Sequence, residues 1–363
     1  MQKVIFNKPF LLLPFLPLLW VYRAIVAIRN FCYDHAILKI TKLPALVISI
    51  GNLSAGGTGK TPLTVLLANT LREQGWKVAI VARGYRRQKK GLVVVSDGRQ
   101  ILAGIAEAGD EPLLMAQACA GVPVVVDEQK TIAGEAAVEK FAPDIILVDD
   151  GFQHRRLHRD IDIVLVNAQM PLSNLWWFPV EPMREPASSL RRAGFVILNT
   201  GGDHIGERTV EKCRRDTSAK IFSGALQSRG WRELPDAAQK LLPLELVKDH
   251  PVLAVSGIAH PERFRVAVEK FNARVVREIK FRDHHRYLKN DLQTIAAARK
   301  ATGARYILTT GKDAVKLAAL NGATIEPMLV LETAFALEAG FFRIFLDVVA
   351  KTNAEKLPAV NET

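Results

Sequence analysis

A lysine and a threonine close a glycine-dense stretch, Gly51-Asn52-Leu53-Ser54-Ala55-Gly56-Gly57-Thr58-Gly59-Lys60-Thr61. Glycines at this density let backbone N–H groups close around phosphate oxygens, and a helix starting behind them adds partial positive charge. Ser54, Ala55, Gly56, Gly57, Thr58, Gly59, Lys60 and Thr61 therefore form a candidate cradle for nucleotide phosphates. Within it Lys60 reaches the outer phosphates and the Thr61 hydroxyl binds Mg²⁺. The common phosphate-loop pattern has glycine six residues before the lysine, and here that position is Ser54. The loop predicts a bound nucleotide. It does not say which one, or what accepts the phosphate.

Three acidic or histidine clusters could complete the chemistry. Asp149-Asp150-Gly151-Phe152-Gln153-His154 follows an apolar run, at the strand end where open α/β sheets bind ligands. An aspartate there organises Mg²⁺ in phosphate-loop enzymes; an Asx-type turn is the plainer alternative. Gln153 and His154 could orient water, metal or phosphate. Gly109-Asp110-Glu111-Pro112 opens a helix, so Asp110 reads either as its N-cap or as a general base for a hydroxyl acceptor. Asp283-His284-His285-Arg286-Tyr287 groups possible metal ligands, but no further close His or Cys completes a zinc set. A His–Asp acid/base pair reaching across an interdomain cleft and a plain polar loop both remain open. Thr310-Gly311-Lys312-Asp313 lacks the Asn-Lys pair of a guanine-reading motif.

The elements around these clusters alternate between apolar strands and amphipathic helices. Strands read at residues 46–50, 77–83, 92–96, 122–126, 144–148, 162–166 and 195–198, with helices at 63–71, 111–120 and 131–141 between them. This predicts a mostly parallel sheet covered on both faces. After a polar stretch at 203–216 a second alternation runs from residue 221 to 331, without a phosphate loop of its own. The expected division is an apolar N-terminal region at 1–45, a phosphate-loop domain at 46–215, a second α/β domain at 216–350 closing over the cleft, and a flexible tail at 351–363.

Composition narrows the partners. The chain has 363 residues, 49% of them hydrophobic, and a net charge of +12 from 49 basic and 37 acidic side chains. The surplus favours anionic partners. The basic clusters lie at 83–90, 155–159 and 191–192, and with 7% aromatic residues no set of aromatics interleaved with them on one face is evident, so nucleic-acid binding is not expected. Cys32, Cys119 and Cys213 show no disulfide or metal spacing. Residues 10–22 run thirteen positions without a charge, flanked by Lys3, Lys8, Arg23 and Arg29. Spanning a bilayer takes about 20 apolar residues, and Pro14 and Pro17 would kink the segment. A helix lying on a membrane surface fits better.

Taken in order, SIGNLSAGGTGKTP at 49–62, ARGY at 82–85, GDEP at 109–112, VDDGFQHRRLHRDIDIVLV at 148–166, PMREP at 182–186, FRDHHRY at 281–287 and TTGKDAVKL at 309–317 closely resemble the tetraacyldisaccharide 4'-kinase (lipid A 4'-kinase) family. The resemblance covers nearly the whole chain. It implies a phosphate-loop NTPase-like α/β/α fold with a second, smaller α/β/α domain and a membrane-associated N-terminal helix. It implies transfer of the γ-phosphate of ATP to the 4'-hydroxyl of tetraacyldisaccharide 1-phosphate, giving lipid IV-A, at the cytoplasmic face of the bacterial inner membrane. By similarity Lys60, Asp110, Asp149, Asp150 and His284 are catalytic, with His284 favoured over His285. Thr61, Asp149 and Gln153 serve Mg²⁺, and Tyr85, Glu111, His154, Arg184 and Glu185 serve the lipid substrate. No obligate protein partner is evident. The sequence departs from the family at residues 175–181, where Trp176 and Trp177 could meet acyl chains, and at Gly311, where an acidic residue is common.

The rival reading is a membrane-associated phosphate-loop ATPase switch. Partition-type ATPases of that class carry a lysine at the position of Ala55, which counts against it.

Overall fold

The computed structural model describes residues 16–54, 57–169, 172, 183–201, 207–234, 240–320 and 328–356. Ala55 and Gly56 of the phosphate loop, Pro14, and Trp176 and Trp177 lie outside the described residues.

Helix α1 (Leu16–Asp34) precedes strand β1 (Leu46–Asn52) and helix α2 (Lys60–Glu73). Strands β2 (Val78–Ala82) and β3 (Val93–Asp97) lead into a short α3 (Ile105–Ala108) and α4 (Asp110–Ala118). Then come β4 (Pro123–Val126), α5 (Lys130–Phe141), β5 (Ile145–Asp149), β6 (Ile161–Asn167) and β7 (Phe195–Asn199). The stretch expected to be merely polar contains α6 (Glu207–Asp216), followed by the long β8 (Lys220–Leu234). The remainder alternates β9 (Pro251–Ser256), α7 (Pro261–Glu269), β10 (Arg274–Lys280), α8 (Lys289–Thr302), β11 (Tyr306–Thr310), α9 (Gly311–Ala318), β12 (Met328–Leu337) and α10 (Phe341–Lys356). The fold is α/β.

Two compact units interleave along the chain. The first holds Met1–Lys60, Gly134–Ala225 and Leu337–Thr363; the second holds Thr61–Ala133 and Leu226–Ala336.

In the first unit β1 pairs in parallel with β5 on one side and β6 on the other, and β7 and β8 extend the parallel run beyond β6. Every residue of β1 and β5 is buried. Strands covered on both faces carry no alternation, which is why they read as unbroken apolar runs. Phe341 and Phe345 of α10 meet the Phe195 ring at 5.7 and 5.9 Å between centroids. Residues 351–356, expected in a flexible tail, continue this helix. At its last residue the Lys356 ammonium donates to the Ala45 carbonyl at 2.7 Å and to Asp160 Oδ2 at 2.6 Å. Burial would raise the Asp160 carboxyl, but bonds from His158, Lys356 and the Val47 N–H bring it down to about 2. Pro17 sits in the first turn of α1, where its missing N–H costs nothing, so it starts the helix rather than kinking it. Val26 and Tyr22 of α1 pack on a core shared with Leu53, Phe152 and Met183. Among the described residues no helix is long and apolar enough to cross a membrane.

In the second unit β4 lies between β2, parallel, and β3, antiparallel. A separate parallel run places β9 between β10 and β11, with β12 beyond β11. Alternate residues of β9 feed different cores: Val252 and Ala254 join Trp231 and Phe264, while Leu253 and Val255 join Tyr287 and Ile295. The two-residue side-chain period of a strand produces this split.

One backbone contact ties the core to the phosphate loop. A Cβ on Gly51 would lie 2.4 Å from Phe152 Cβ and 2.9 Å from its backbone nitrogen. Gly51→Ala should therefore cost about 1–3 kcal/mol of stability, read as a lower urea midpoint. An unchanged midpoint would contradict the close packing of β1 against this turn.

Candidate active site

In the first unit the chain leaves β1 into the phosphate loop and enters α2 at Lys60. The loop is braced from within. Asn52 Nδ2 donates to Thr58 Oγ1 at 2.9 Å, and Asn199 Nδ2 donates to the Thr58 carbonyl at 2.8 Å. Gln153 Nε2 donates to the Asn52 carbonyl at 2.8 Å, and the Arg184 N–H to the Leu53 carbonyl at 2.7 Å. Ser54 bridges to Met183 in antiparallel fashion. Gly59 takes φ +92°, a conformation open to glycine at no steric cost.

The aspartate pair meets this loop with two different roles. Asp149 closes β5 opposite Ile50 of β1 and is 5% exposed. Asp150 turns out of the strand with φ +50° and lies between two cations. Its Oδ1 is 3.3 Å from Lys60 Nζ, and its Oδ2 is 3.1 Å from Arg184 Nη1. Asp150 therefore fixes the Lys60 ammonium on one side and the Arg184 guanidinium on the other. Asn52 Oδ1 is buried without a hydrogen-bond partner among the described residues. The Asp149 carboxylate and the Gln153 amide of the first unit both supply oxygen donors. That set suits Mg²⁺, which takes one or two carboxylates together with substrate phosphates.

Glu185, expected among the substrate contacts, is 1% exposed and both its oxygens are engaged. Arg29 Nη2 of α1 lies 3.3 Å from Oε1, and Arg192 Nη2 lies 2.6 Å from Oε2. Its carboxylate anchors α1 to the segment that carries Arg184. His154 donates its backbone N–H to the Gly151 carbonyl at 2.9 Å and so closes the turn after Asp150.

In the second unit Asp110, Glu111, Tyr85 and His284 come together, and Thr61 is buried in the first turn of α2. Gly109, with φ +85°, caps α4, so Asp110 is the first helical residue and not the N-cap. Its Oδ1 accepts the Glu111 N–H at 3.0 Å. Its Oδ2 accepts from His284 Nδ1 at 2.8 Å. Asp110 is 7% exposed and the His284 side chain 14%. Tyr85 sets its ring edge on His284 at 5.4 Å, and Arg86 Nη1 donates to the Asp283 carbonyl at 2.9 Å. The structure also separates the two histidines. His285 Nε2 lies 3.0 Å from Asp291 Oδ2 and its ring stacks on Phe281, away from Asp110.

Burial alone would raise the Asp110 carboxyl. The hydrogen bond and charge of His284, with Lys312 and Lys316 beyond, instead hold it below the ordinary value. His284 is raised, chiefly by its bond to Asp110 and against the cost of burial. Asp110 is therefore ionised and Nδ1 carries the shared hydrogen. Lys312, which the sequence offered in a discounted guanine motif and within the TTGKDAVKL stretch but with no role of its own, bonds Glu111 through its ammonium. Its burial favours the neutral form, but Glu111, Asp110 and Asp283 outweigh that and raise it. Nothing in the spacing of residues 109–112 and 310–313 announced this pairing.

Comparisons with known proteins show what the chain is similar to. The sequence model of one family, described as tetraacyldisaccharide-1-P 4'-kinase, matches residues 11–350. The tetraacyldisaccharide 4'-kinase of Syntrophus aciditrophicus is 38% identical over 311 residues, covering 83% of each chain. That of Halothermothrix orenii is 35% identical over 310 residues, covering 82% of this chain and 80% of its own. Among solved structures, LpxK from Aquifex aeolicus in complex with ATP superposes with a TM-score of 0.73 at 31% identity, over 94% of this chain and 98% of its own.

The pair makes stability pH-dependent in a defined window. His284 has a raised value, so its contribution is complete below the ordinary 6.5 and is lost as pH rises through the raised value. Asp110 has a lowered value, so its contribution is present above the ordinary 3.8 and is lost as pH falls through the lowered value. Relative to His284→Gln, the parent should gain about 1.5–3 kcal/mol between those limits and progressively less outside them. Urea midpoints measured across pH check this, and a difference that does not vary with pH would contradict it.

Proposed function

The chain belongs to the tetraacyldisaccharide-1-P 4'-kinase family and is an ATP-dependent kinase of the tetraacyldisaccharide lipid; we propose that Asp110, held by His284, takes the proton from the 4'-hydroxyl as that oxygen attacks the γ-phosphorus. The new sugar O–P bond forms in line as the bond to the β-phosphate oxygen breaks, and ADP leaves with that electron pair. The observation that carries this reading is the buried Asp110–His284 bond at 2.8 Å. A general base must sit within hydrogen-bond reach of its proton, and an imidazole behind a carboxylate shares the charge change when the proton arrives.

The remaining candidates divide by charge. Lys60 and the loop N–H groups of Gly57, Thr58 and Gly59 hold the negative phosphate oxygens. Asp150 and Arg184 hold Lys60 in place and complete the charge balance, as their 3.3 and 3.1 Å contacts suggest. Thr61, Asp149 and Gln153 would hold Mg²⁺, which when bound neutralises charge on the β- and γ-phosphates. Tyr85, Glu111 and His154 are proposed to face the lipid headgroup. Glu185 contributes through Arg29 and Arg192 instead of by direct contact.

The membrane surface is the proposed meeting place of enzyme and lipid, at the cytoplasmic face of the inner membrane. Support comes from α1. Trp20, Val21, Ile25, Ile28 and Phe31 are all more than half exposed, while Val26 is buried. An apolar face on an otherwise docked helix, with Arg23 at 4.7 Å from the Trp20 ring centroid, suits the headgroup boundary.

Two sets of measurements test these assignments. With labelled ATP, Mg²⁺ and lipid disaccharide 1-phosphate, Asp110→Ala should lower kcat about 10²–10⁴-fold with little change in the KM for ATP. Unchanged turnover would remove Asp110 from the mechanism. Lys60→Ala should damage both the rate and ATP use, and ATP hydrolysis without lipid phosphorylation in the parent would favour the ATPase switch. Separately, the double substitution Ile25→Glu and Ile28→Glu should abolish sedimentation with anionic phospholipid vesicles while leaving the urea midpoint in place. Retained sedimentation would remove α1 from the membrane contact.

A further inference from the structure

We propose that Asp313 is a positioning residue for His284, acting through Gly257. This rests on the reading of Asp110 and His284 as the proton-handling pair. Asp313 lies in the first turn of α9 and has no exposed surface. An ionised carboxylate so deep is costly unless several donors hold it. Here Oδ2 accepts the Gly257 N–H at 2.9 Å and the Thr310 hydroxyl at 2.7 Å, and Oδ1 faces Lys316 Nζ at 2.7 Å. The ordinary role of this arrangement is helix capping, since Thr310 also accepts the Asp313 N–H. Capping accounts for Thr310. It does not account for the bond to Gly257, which is 56 residues away.

Gly257 passes the constraint on. It follows the last residue of β9, and its carbonyl accepts the His284 N–H at 3.2 Å. One residue is thus held by Asp313 at its amide and holds His284 at its carbonyl. The packing around it leaves no slack. A Cβ on Gly257 would lie 3.1 Å from Asp313 Oδ1, 3.3 Å from the Arg282 carbonyl and 3.3 Å from the Tyr287 hydroxyl. His284 needs such a hold, because its φ of +58° is left-handed and a non-glycine residue stays there only when its surroundings fix it. That backbone turn is what aims Nδ1 at Asp110. The chain of contacts runs from Asp313 to Gly257, to His284, to Asp110, and every link is within 3.2 Å.

A double-mutant cycle tests this. In the parent enzyme Asp313→Ala should lower kcat about 10²-fold, the scale of a misplaced catalytic group, with KM for ATP and lipid within about threefold. In a His284→Ala background the same substitution should change kcat by less than about twofold, because the group being positioned is gone. A loss of folded enzyme would instead lower both backgrounds equally, and that result overturns the proposal. So does an unchanged kcat in Asp313→Ala. An unchanged kcat in His284→Ala alone overturns the proton-handling reading, and this inference with it. Should Asp313→Ala not fold, judged by its thermal melt, Gly257→Ala displaces the same link and must show the same dependence on His284.

Discussion

A carboxylate with almost no exposed surface meets an imidazole at 2.8 Å, and much of the second unit serves that meeting. Gly109 turns the chain so that Asp110 opens α4, and its positive φ allows the Tyr85 carbonyl to pass where a Cβ would lie 3.1 Å away. Tyr85 and Arg86, from the loop after β2, close on the other partner, one by its ring edge on His284 and one by a bond to the Asp283 carbonyl. Loops from three separate stretches of sequence converge on one hydrogen bond. The charges beyond it, Lys312 and Lys316, both favour the ionised carboxylate. The same bond raises the imidazole, so carboxylate and imidazole share one hydrogen and titrate as a pair.

The first unit faces a different problem, which is to hold the Lys60 ammonium beside a glycine loop. A half-buried ammonium beside a glycine loop would be costly without an anion. Asp150 meets that cost at 3.3 Å and is itself fixed by Arg184. Arg184 in turn follows Met183, whose backbone bridges to Ser54 of the loop. Its neighbour Glu185 binds α1 through Arg29. The helix with the exposed apolar face and the loop that ends at Lys60 are therefore joined through two consecutive residues. Placement of α1 and placement of the loop are not independent properties of this fold.

Much of this was legible in the sequence because buried parallel strands leave an unmistakable record. β1, β5 and β9 are apolar along their length, and the carboxyl ends of β1 and β5 carry the phosphate loop and Asp149-Asp150 as their positions predict. What was not legible depends on distant partners. Residues 351–356 look polar and terminal, yet Lys356 ends a helix by bonding Asp160, 196 residues away. Glu185, expected by similarity among the substrate contacts, is enclosed by two arginines. The interleaving of the two units has no local signal, since each crossing, as at Lys60 and Ala225, falls inside a helix or a strand rather than at a linker.

The two adjacent histidines show the limit most sharply. His284 and His285 are chemically identical, and composition gives no reason to separate them. The backbone does. A left-handed φ at His284 sends its ring to Asp110, while His285 stacks on Phe281 and meets Asp291 at the start of α8. Asp291 also accepts the Leu288 N–H at 2.8 Å, so His285 is tied to the helix start and not to Asp110. A left-handed residue other than glycine costs on the order of 1–2 kcal/mol, and asparagine or glycine would relieve it. The strain persists because relief by either residue would remove the imidazole, and moving the imidazole to position 285 would point it at Phe281. The place of the imidazole here is fixed by the sign of one dihedral angle, which the sequence encodes only through the residues that hold it.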